Sequence, residues 1–171
     1  MRCAHRIRSP LLVVCLALFA MAFALFGDPS HKVIYNGSSS VPRGWYGSRP
    51  ARSVSIGMLV LVRLPQAAQQ MAERRHYLPA DVPVLKHIAA LPGAKVCEHG
   101  GAVTVNGELM ARALSHDASG RALIAWSGCR ALAMTELFLL NSLSRTSFDS
   151  RYFGPVDRSQ MIGAAFPIWT W

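Results

Sequence analysis

The chain opens on an unbroken apolar block and then changes rhythm. From Pro10 to Phe26 (PLLVVCLALFAMAFALF) no charged residue intervenes. As a helix, those roughly 17 residues span about 25 Å, at the short end for crossing a bilayer. Beyond it the apolar positions come in short runs. Val33-Ile34-Tyr35 is the first strand-like stretch, and the small polar run Asn36 to Ser40, followed by Pro42 and Gly44, predicts a turn. Met58 to Leu64 (MLVLVRL), preceded by Gly57 and closed by Pro65, predicts a buried strand. Gln66 to Arg75 is rich in Ala and Gln without a strong breaker, which predicts a short helix ended by Leu78 to Pro83 (LPADVP). Val84 to Ala90 is a second apolar run, stopped by Pro92-Gly93. Asn106-Gly107, between Ala102–Val105 and Glu108–Met110, is a strong hairpin signal. A turn near Ser119-Gly120 precedes the run Ala122 to Trp126, and Glu136–Leu140 and Met161–Trp171 complete the strands. Short strands separated by turn chemistry predict a mainly β domain.

Arg2, Arg6 and Arg8 precede the apolar block, so the positive-inside rule keeps the N-terminus cytoplasmic and exports the rest. This divides the chain into a cytoplasmic stub (1–9), a transmembrane anchor (10–26) and an exported domain (27–171). A removable secretory signal has a similar layout. Here, however, the Ala-x-Ala steps lie inside the apolar core, and its exit (Leu25-Phe26-Gly27-Asp28-Pro29) is a poor cleavage site. A retained anchor is the reading.

The formal net charge of +9 invites a nucleic-acid partner. The basic residues are scattered, with no run longer than Arg74-Arg75. A solvated basic surface beside anionic lipid headgroups accounts for them, and no nucleic-acid partner is expected. Of the four cysteines, Cys3 and Cys15 lie before or within the anchor, while Cys97 and Cys129 lie in the exported part. An oxidising compartment with two available thiols predicts one disulfide between them. A metal site on Cys97, His99 and Cys129 would lack an obvious fourth ligand and any C-x-x-C spacing, so no metal is expected.

Three segments carry the candidate chemistry: Asn36 to Gly44 (NGSSSVPRG), Val84 to Ile88 (VLKHI) and Ser147 to Gly154 (SFDSRYFG). A hydroxyl is a weak nucleophile until a base takes its proton, and a lysine serves if burial keeps it neutral. Lys86 lies between apolar neighbours, where an ammonium is costly. Singly, a serine-rich turn is ordinarily just a turn, and a strand lysine ordinarily snorkels to water. His116-Asp117 suggests a Ser-His-Asp triad on paper, but adjacent residues seldom present both side chains in that geometry. His87 should alternate away from Lys86 on a strand and is read as structural.

Together and in this order, the segments resemble the signal peptidase family, and specifically its conjugative-transfer branch of TraF-type peptidases, over nearly the whole exported part. The branch pattern N-x-S-x-S-[apolar]-P-x-G-[aromatic/Leu]-Y is met by Asn36, Ser38, Ser40, Val41, Pro42, Gly44, Trp45 and Tyr46. Lys86 to Gly93 (KHIAALPG) meets the lysine box, and Ser147 to Gly154 meets S-x-D-S-R-x-F/Y-G. One departure is Ala94-Lys95 after Pro92-Gly93, where relatives often carry Asp. The resemblance implies a signal-peptidase/LexA-like β domain behind one N-terminal transmembrane helix. It implies Ser40 as nucleophile and Lys86 as general base. Ser38 would help stabilise the oxyanion, Ser147 would orient the lysine amine, and Asp149 and Arg151 would hold the strand by an ion pair.

The resemblance further implies a serine endopeptidase of a bacterial inner membrane. It would be single-pass with a periplasmic catalytic domain, cut precursor proteins after a small residue, and need no cofactor. The implied substrate is a pilin precursor, with cleavage coupled in some members to head-to-tail cyclisation. A general signal peptidase removing secretory signal peptides is one alternative. A self-cleaving repressor-type protease shares the dyad and fold but should be cytosolic, and a non-enzymatic anchored assembly factor would not need all the dyad positions.

Overall fold

The structure is a computed structural model that describes residues 10, 12–19, 21 and 32–171. Residues 10, 12–19 and 21 are helical. Among the described residues no helix is long and apolar enough to cross a membrane. The expected stub at 1–9 lies outside the described residues, as do 22–26 of the expected anchor and 27–31 of the exported part. Residues 31–171 cluster as one unit, and it is mainly β.

Eleven strands build the described part of that unit: β1 (Lys32–Asn36), β2 (Gly44–Arg49), β3 (Leu59–Val62), β4 (Val84–Ala90), β5 (Lys95–His99), β6 (Ala102–Val105), β7 (Glu108–Arg112), β8 (Gly128–Ala131), β9 (Glu136–Leu140), β10 (Val156–Asp157) and β11 (Met161–Thr170). Helix α1 spans Gln66–Arg74 and α2 spans Ser150–Phe153. A seven-stranded sheet has the order β1-β2-β11-β3-β4-β9-β10, and a four-stranded sheet the order β7-β6-β5-β8. All pairings are antiparallel.

The predicted apolar strands occupy the middle of the large sheet. In β3 Val60, Leu61 and Val62 are all buried, as are Leu137 to Leu140 of β9. A central strand covered on both faces needs no polar alternation, which is why its sequence reads as continuous hydrophobicity. Val60, Val62, Ile88, Leu137 and Leu139 form one core cluster, and Val96, Val103, Leu132 and Phe138 another nearer the small sheet. Helix α1 packs Ala68 and Ala72 beside Leu64, against Phe148 and Phe153. The β6–β7 hairpin turns on Asn106 and Gly107, both at positive φ (50° and 88°), the geometry of a two-residue turn matched to strand twist.

Several elements were not legible in the apolar pattern. Strands β2, β5 and β8 carry polar or mixed sequences (GWYGSR, KVCEH, GCRA) and form through their ladder partners. The run Ala122–Trp126 makes no strand, only a bridge from Ala122 to His116. Its aromatic end turns instead toward the third box: the Trp126 amide donates to the Arg151 carbonyl, and its ring meets Phe138 edge-on. Cys97 and Cys129 sit directly opposite each other on β5 and β8 and are joined as a disulfide.

Candidate active site

Ser40 stands on the loop between β1 and β2, and the loop is shaped by Asn36. This buried carboxamide donates through Nδ2 to the carbonyls of Ser38, Val41 and Pro42 at 3.0–3.1 Å. Its Oδ1 accepts from the Ser38 amide and, at 2.8 Å, from the Ser38 hydroxyl. One side chain thus supplies the hydrogen bonds that a short irregular segment cannot make for itself. The buried Tyr46 adds a hydrogen bond from its hydroxyl to the Pro42 carbonyl at 2.7 Å. Gly44 re-enters the sheet at φ 144°, and a Cβ there would collide with the Trp169 carbonyl. The motif's Asn, Gly and Tyr are therefore scaffold for the serine turn; sequence reasoning assigned Asn36 no role.

Lys86 lies at the middle of β4, opposite Val60, and is 3% exposed. Its Nζ donates to Ser147 Oγ at 2.8 Å and lies 3.5 Å from Ser40 Oγ. Burial penalises the ammonium and brings its pKa down to about 8. Nearby Asp149 pulls the other way, and Arg151 adds to the lowering. Sequence positions 40, 86 and 147 are thus brought to one point. Ser38 sits on the same loop, but its hydroxyl proton is engaged by Asn36 in this arrangement.

Asp149 and Arg151 form a buried two-pronged ion pair, Nε to Oδ1 and one terminal nitrogen to Oδ2, each 2.8 Å. The carboxylate also accepts the Asn141 amide at 3.0 Å and caps α2 through the Arg151 amide at 3.2 Å. The guanidinium binds the carbonyls of Ser144, at 2.8 Å, and Asn141, at 3.3 Å. The pair therefore fastens the exit of β9 to the segment that presents Ser147. Asn141, another residue without a signal in the sequence, ties β9 to β4. It donates to the Leu85 carbonyl and accepts the His87 amide and, at 3.0 Å, the His87 ring Nδ1.

The adjacent His116 and Asp117 are placed otherwise. Asp117 accepts from Tyr77, Arg75 and Arg121, and the Tyr77 hydrogen bond, first among these, holds its carboxyl below the usual range. The His116 ring meets the Ser115 hydroxyl. Among the described residues no group of three or more His, Cys, Asp or Glu is placed to hold a metal ion.

Two cavities meet at Ser40. The first, about 640 Å³, runs between Ile34–Asn36 of β1 and Val84–Lys86 of β4, toward Tyr77, Phe148 and Tyr152. The second, about 740 Å³, runs past His87 and Asn141 toward Ile56, Met110 and Leu143. Ser39, Ser40 and Arg43 line both.

Comparison with known proteins finds the family of signal peptidases, peptidase S26, whose sequence model matches residues 4–171. A plasmid transfer protein TraF of Escherichia coli is 36% identical over 146 residues, covering 80% of this chain and 82% of that protein. A conjugal transfer protein TraF of Agrobacterium fabrum (strain C58 / ATCC 33970) is 32% identical over 145 residues, 79% and 81% of the two chains. Among solved structures, a signal peptidase I of Enterococcus faecalis V583 aligns over 66% of this chain and 97% of that chain, at a TM-score of 0.40 and 20% identity.

Proposed function

The chain belongs to the signal peptidase family, peptidase S26, and on that footing we propose that it is a serine endopeptidase working through Ser40 and Lys86. The observation that carries the reading is the buried Lys86 amine, held by Ser147 and 3.5 Å from the Ser40 hydroxyl. With its pKa near 8 the amine is neutral in an appreciable fraction of molecules at neutral pH. It takes the Ser40 proton as Oγ attacks the scissile carbonyl, then returns that proton to the leaving amine. In the second half it deprotonates the water that hydrolyses the acyl-enzyme. The Ser40 amide, with the Ser38 hydroxyl once it turns from Asn36, stabilises the oxyanion. The scheme draws only on side chains and the Ser40 backbone amide, and no cofactor enters it.

The first cavity suits an extended peptide. β1 is the outer strand of its sheet, and β9 pairs with β4 only from His87 onward. The outer edge of β1 along Ile34–Asn36 is therefore open to pairing with a substrate strand, while at β4 the Leu85 carbonyl already accepts from Asn141. The proposed substrate is a precursor protein cut after a small residue near the membrane, with residues 10–26 as the retained anchor and the catalytic unit on the periplasmic side. The similarity to TraF proteins favours a conjugative pilin precursor, with or without cyclisation.

The test is incubation of the full chain, in membranes, with a pilin precursor and separately with a secretory preprotein, each against Ser40→Ala. Cleavage of the pilin precursor alone supports the reading. Cleavage of the preprotein instead makes the protein a general signal peptidase. No Ser40-dependent cleavage of either leaves an assembly role.

A further inference from the structure

We infer that the second cavity at Ser40 receives the segment of the substrate that lies beyond the scissile bond, and that it selects neutral or acidic residues there over basic ones. The inference rests on the peptidase reading above, since only a chain cut at Ser40 has two halves to place. A carbonyl seated on Ser40 Oγ sends its polypeptide away in two directions, and two cavities share Ser40 in their linings. Along β4 the first half, Val84 to Lys86, lines the first cavity and the next three residues, His87 to Ala89, line the second.

The two clefts differ in what they offer a backbone. The first is bordered by the outer edge of β1 and suits the stretch that stays attached to the enzyme as the ester. In the second, the β4 groups are already engaged. The His87 amide donates to Asn141, the Ile88 amide to the Met58 carbonyl, and the Ile88 carbonyl accepts from Gly57. Without a ladder to break, the half released first departs readily while the acyl-enzyme remains.

Charge sets the selectivity. None of the side chains lining the second cavity is acidic, whereas Arg43, shared with the first cavity, and His87 line it. Asn141 Oδ1 accepts from the His87 ring at Nδ1, which leaves Nε2 to meet a polar group of the substrate. The remaining wall is largely apolar, including the exposed Ile56 and Leu143 on its rim. A lysine or arginine after the cut would meet the Arg43 guanidinium with no acidic side chain in the lining to answer it.

The experiment uses the full chain in membranes and two pilin precursors identical except for Glu or Lys at the second position after the cut. Wild type should favour Glu by about fivefold in kcat/KM, as expected from about 1 kcal/mol between partly solvated charges. Ile56→Glu with Leu143→Glu should reverse the preference toward Lys, while a Glu-to-Lys exchange placed before the cut responds equally in both proteins. Leu143 is fully exposed, so Leu143→Glu alone carries the test if the double variant folds poorly. Equal cleavage of the two precursors by wild type, or a preference the variants leave unmoved, overturns the inference while the peptidase stands. No cleavage of either precursor overturns the reading itself, and this inference with it.

Discussion

The Lys86 amine is nearer to Ser147 than to Ser40: 2.8 Å against 3.5 Å. In this arrangement the lysine is held by an orienting hydroxyl from a segment distant in sequence. Ser147 is itself buried, and the Asp149–Arg151 pair just beyond it in the chain positions it. On the proposed mechanism the base is held in place before substrate arrives, and the looser contact to Ser40 is the one expected to tighten when a peptide binds.

On the proposed mechanism the pH profile of cleavage follows the Lys86 amine, whose neutral form would be the base and whose pKa burial lowers to about 8. Cleavage should rise with pH through that value and level off above it. Lys86→Arg should be inactive, because a guanidinium stays protonated throughout. A flat profile across the range in which the amine titrates, or a working Lys86→Arg enzyme, removes the mechanism.

Within the serine turn, Ser40→Ala should abolish cleavage. Ser38→Ala should lose roughly 10²- to 10³-fold, the size expected for an oxyanion donor, and its folded loop should persist because Asn36 still holds three carbonyls. Single-turnover assays of both variants decide this. Activity surviving in Ser40→Ala but lost in Ser38→Ala would mean that a different hydroxyl attacks.

Lys86→Met should be inactive yet more stable. The folded pKa lies below that of a free lysine, so the unfolded chain binds more protons between about pH 8 and 10.5. Burying the charged amine therefore costs stability that is fully felt below pH 8 and recovered as pH rises through that window. The fall from 10.5 to about 8 corresponds to about 3 kcal/mol, offset by about 1 kcal/mol for the lost hydrogen bond to Ser147. Urea unfolding at neutral pH should show the variant ahead by about 2 kcal/mol, and the gap should close as pH rises through the window. A variant less stable than wild type at neutral pH contradicts this.

Breaking the buried ion pair should act on the fold first. Asp149→Ala leaves an uncompensated guanidinium and frees the Asn141 amide and the start of α2, for a loss of about 3–5 kcal/mol. Arg151→Ala should be comparable, and the double variant should cost less than the two losses added together. Thermal melts of the three proteins test this; strict additivity would show that the two side chains act independently.

Replacing Cys97 and Cys129 by Ser should destabilise the small sheet. Closing a loop across a sequence separation of 32 contributes about 3–4 kcal/mol by restricting the unfolded chain. Cleavage should persist at low temperature, since neither residue lines either cavity at Ser40. Mass spectrometry of the non-reduced protein showing two free thiols would contradict the bond.

Local pattern alone specifies the strands that are apolar on both faces, the Asn106-Gly107 turn and the short helix after Pro65. In these cases the signal is a run of apolar side chains, a backbone that needs positive φ, or, for the helix, good helix formers without a breaker. The same linear order marks three boxes as candidates for the chemistry, because Ser40, Lys86 and Ser147 stand in motifs that resemble a family. It is silent on β2, β5 and β8, whose mixed residues become strands only when a neighbour offers a ladder. It is silent too on Asn36 and Asn141, since an amide reads as a turn or surface residue until burial obliges it to satisfy backbone groups from several segments. The folded arrangement is what brings residues 46 and 61 positions away to Lys86, seals Asp149 and Arg151 in the interior, and opens two cavities at Ser40. Those are consequences of long-range strand order, which sets distances between segments that no local pattern encodes.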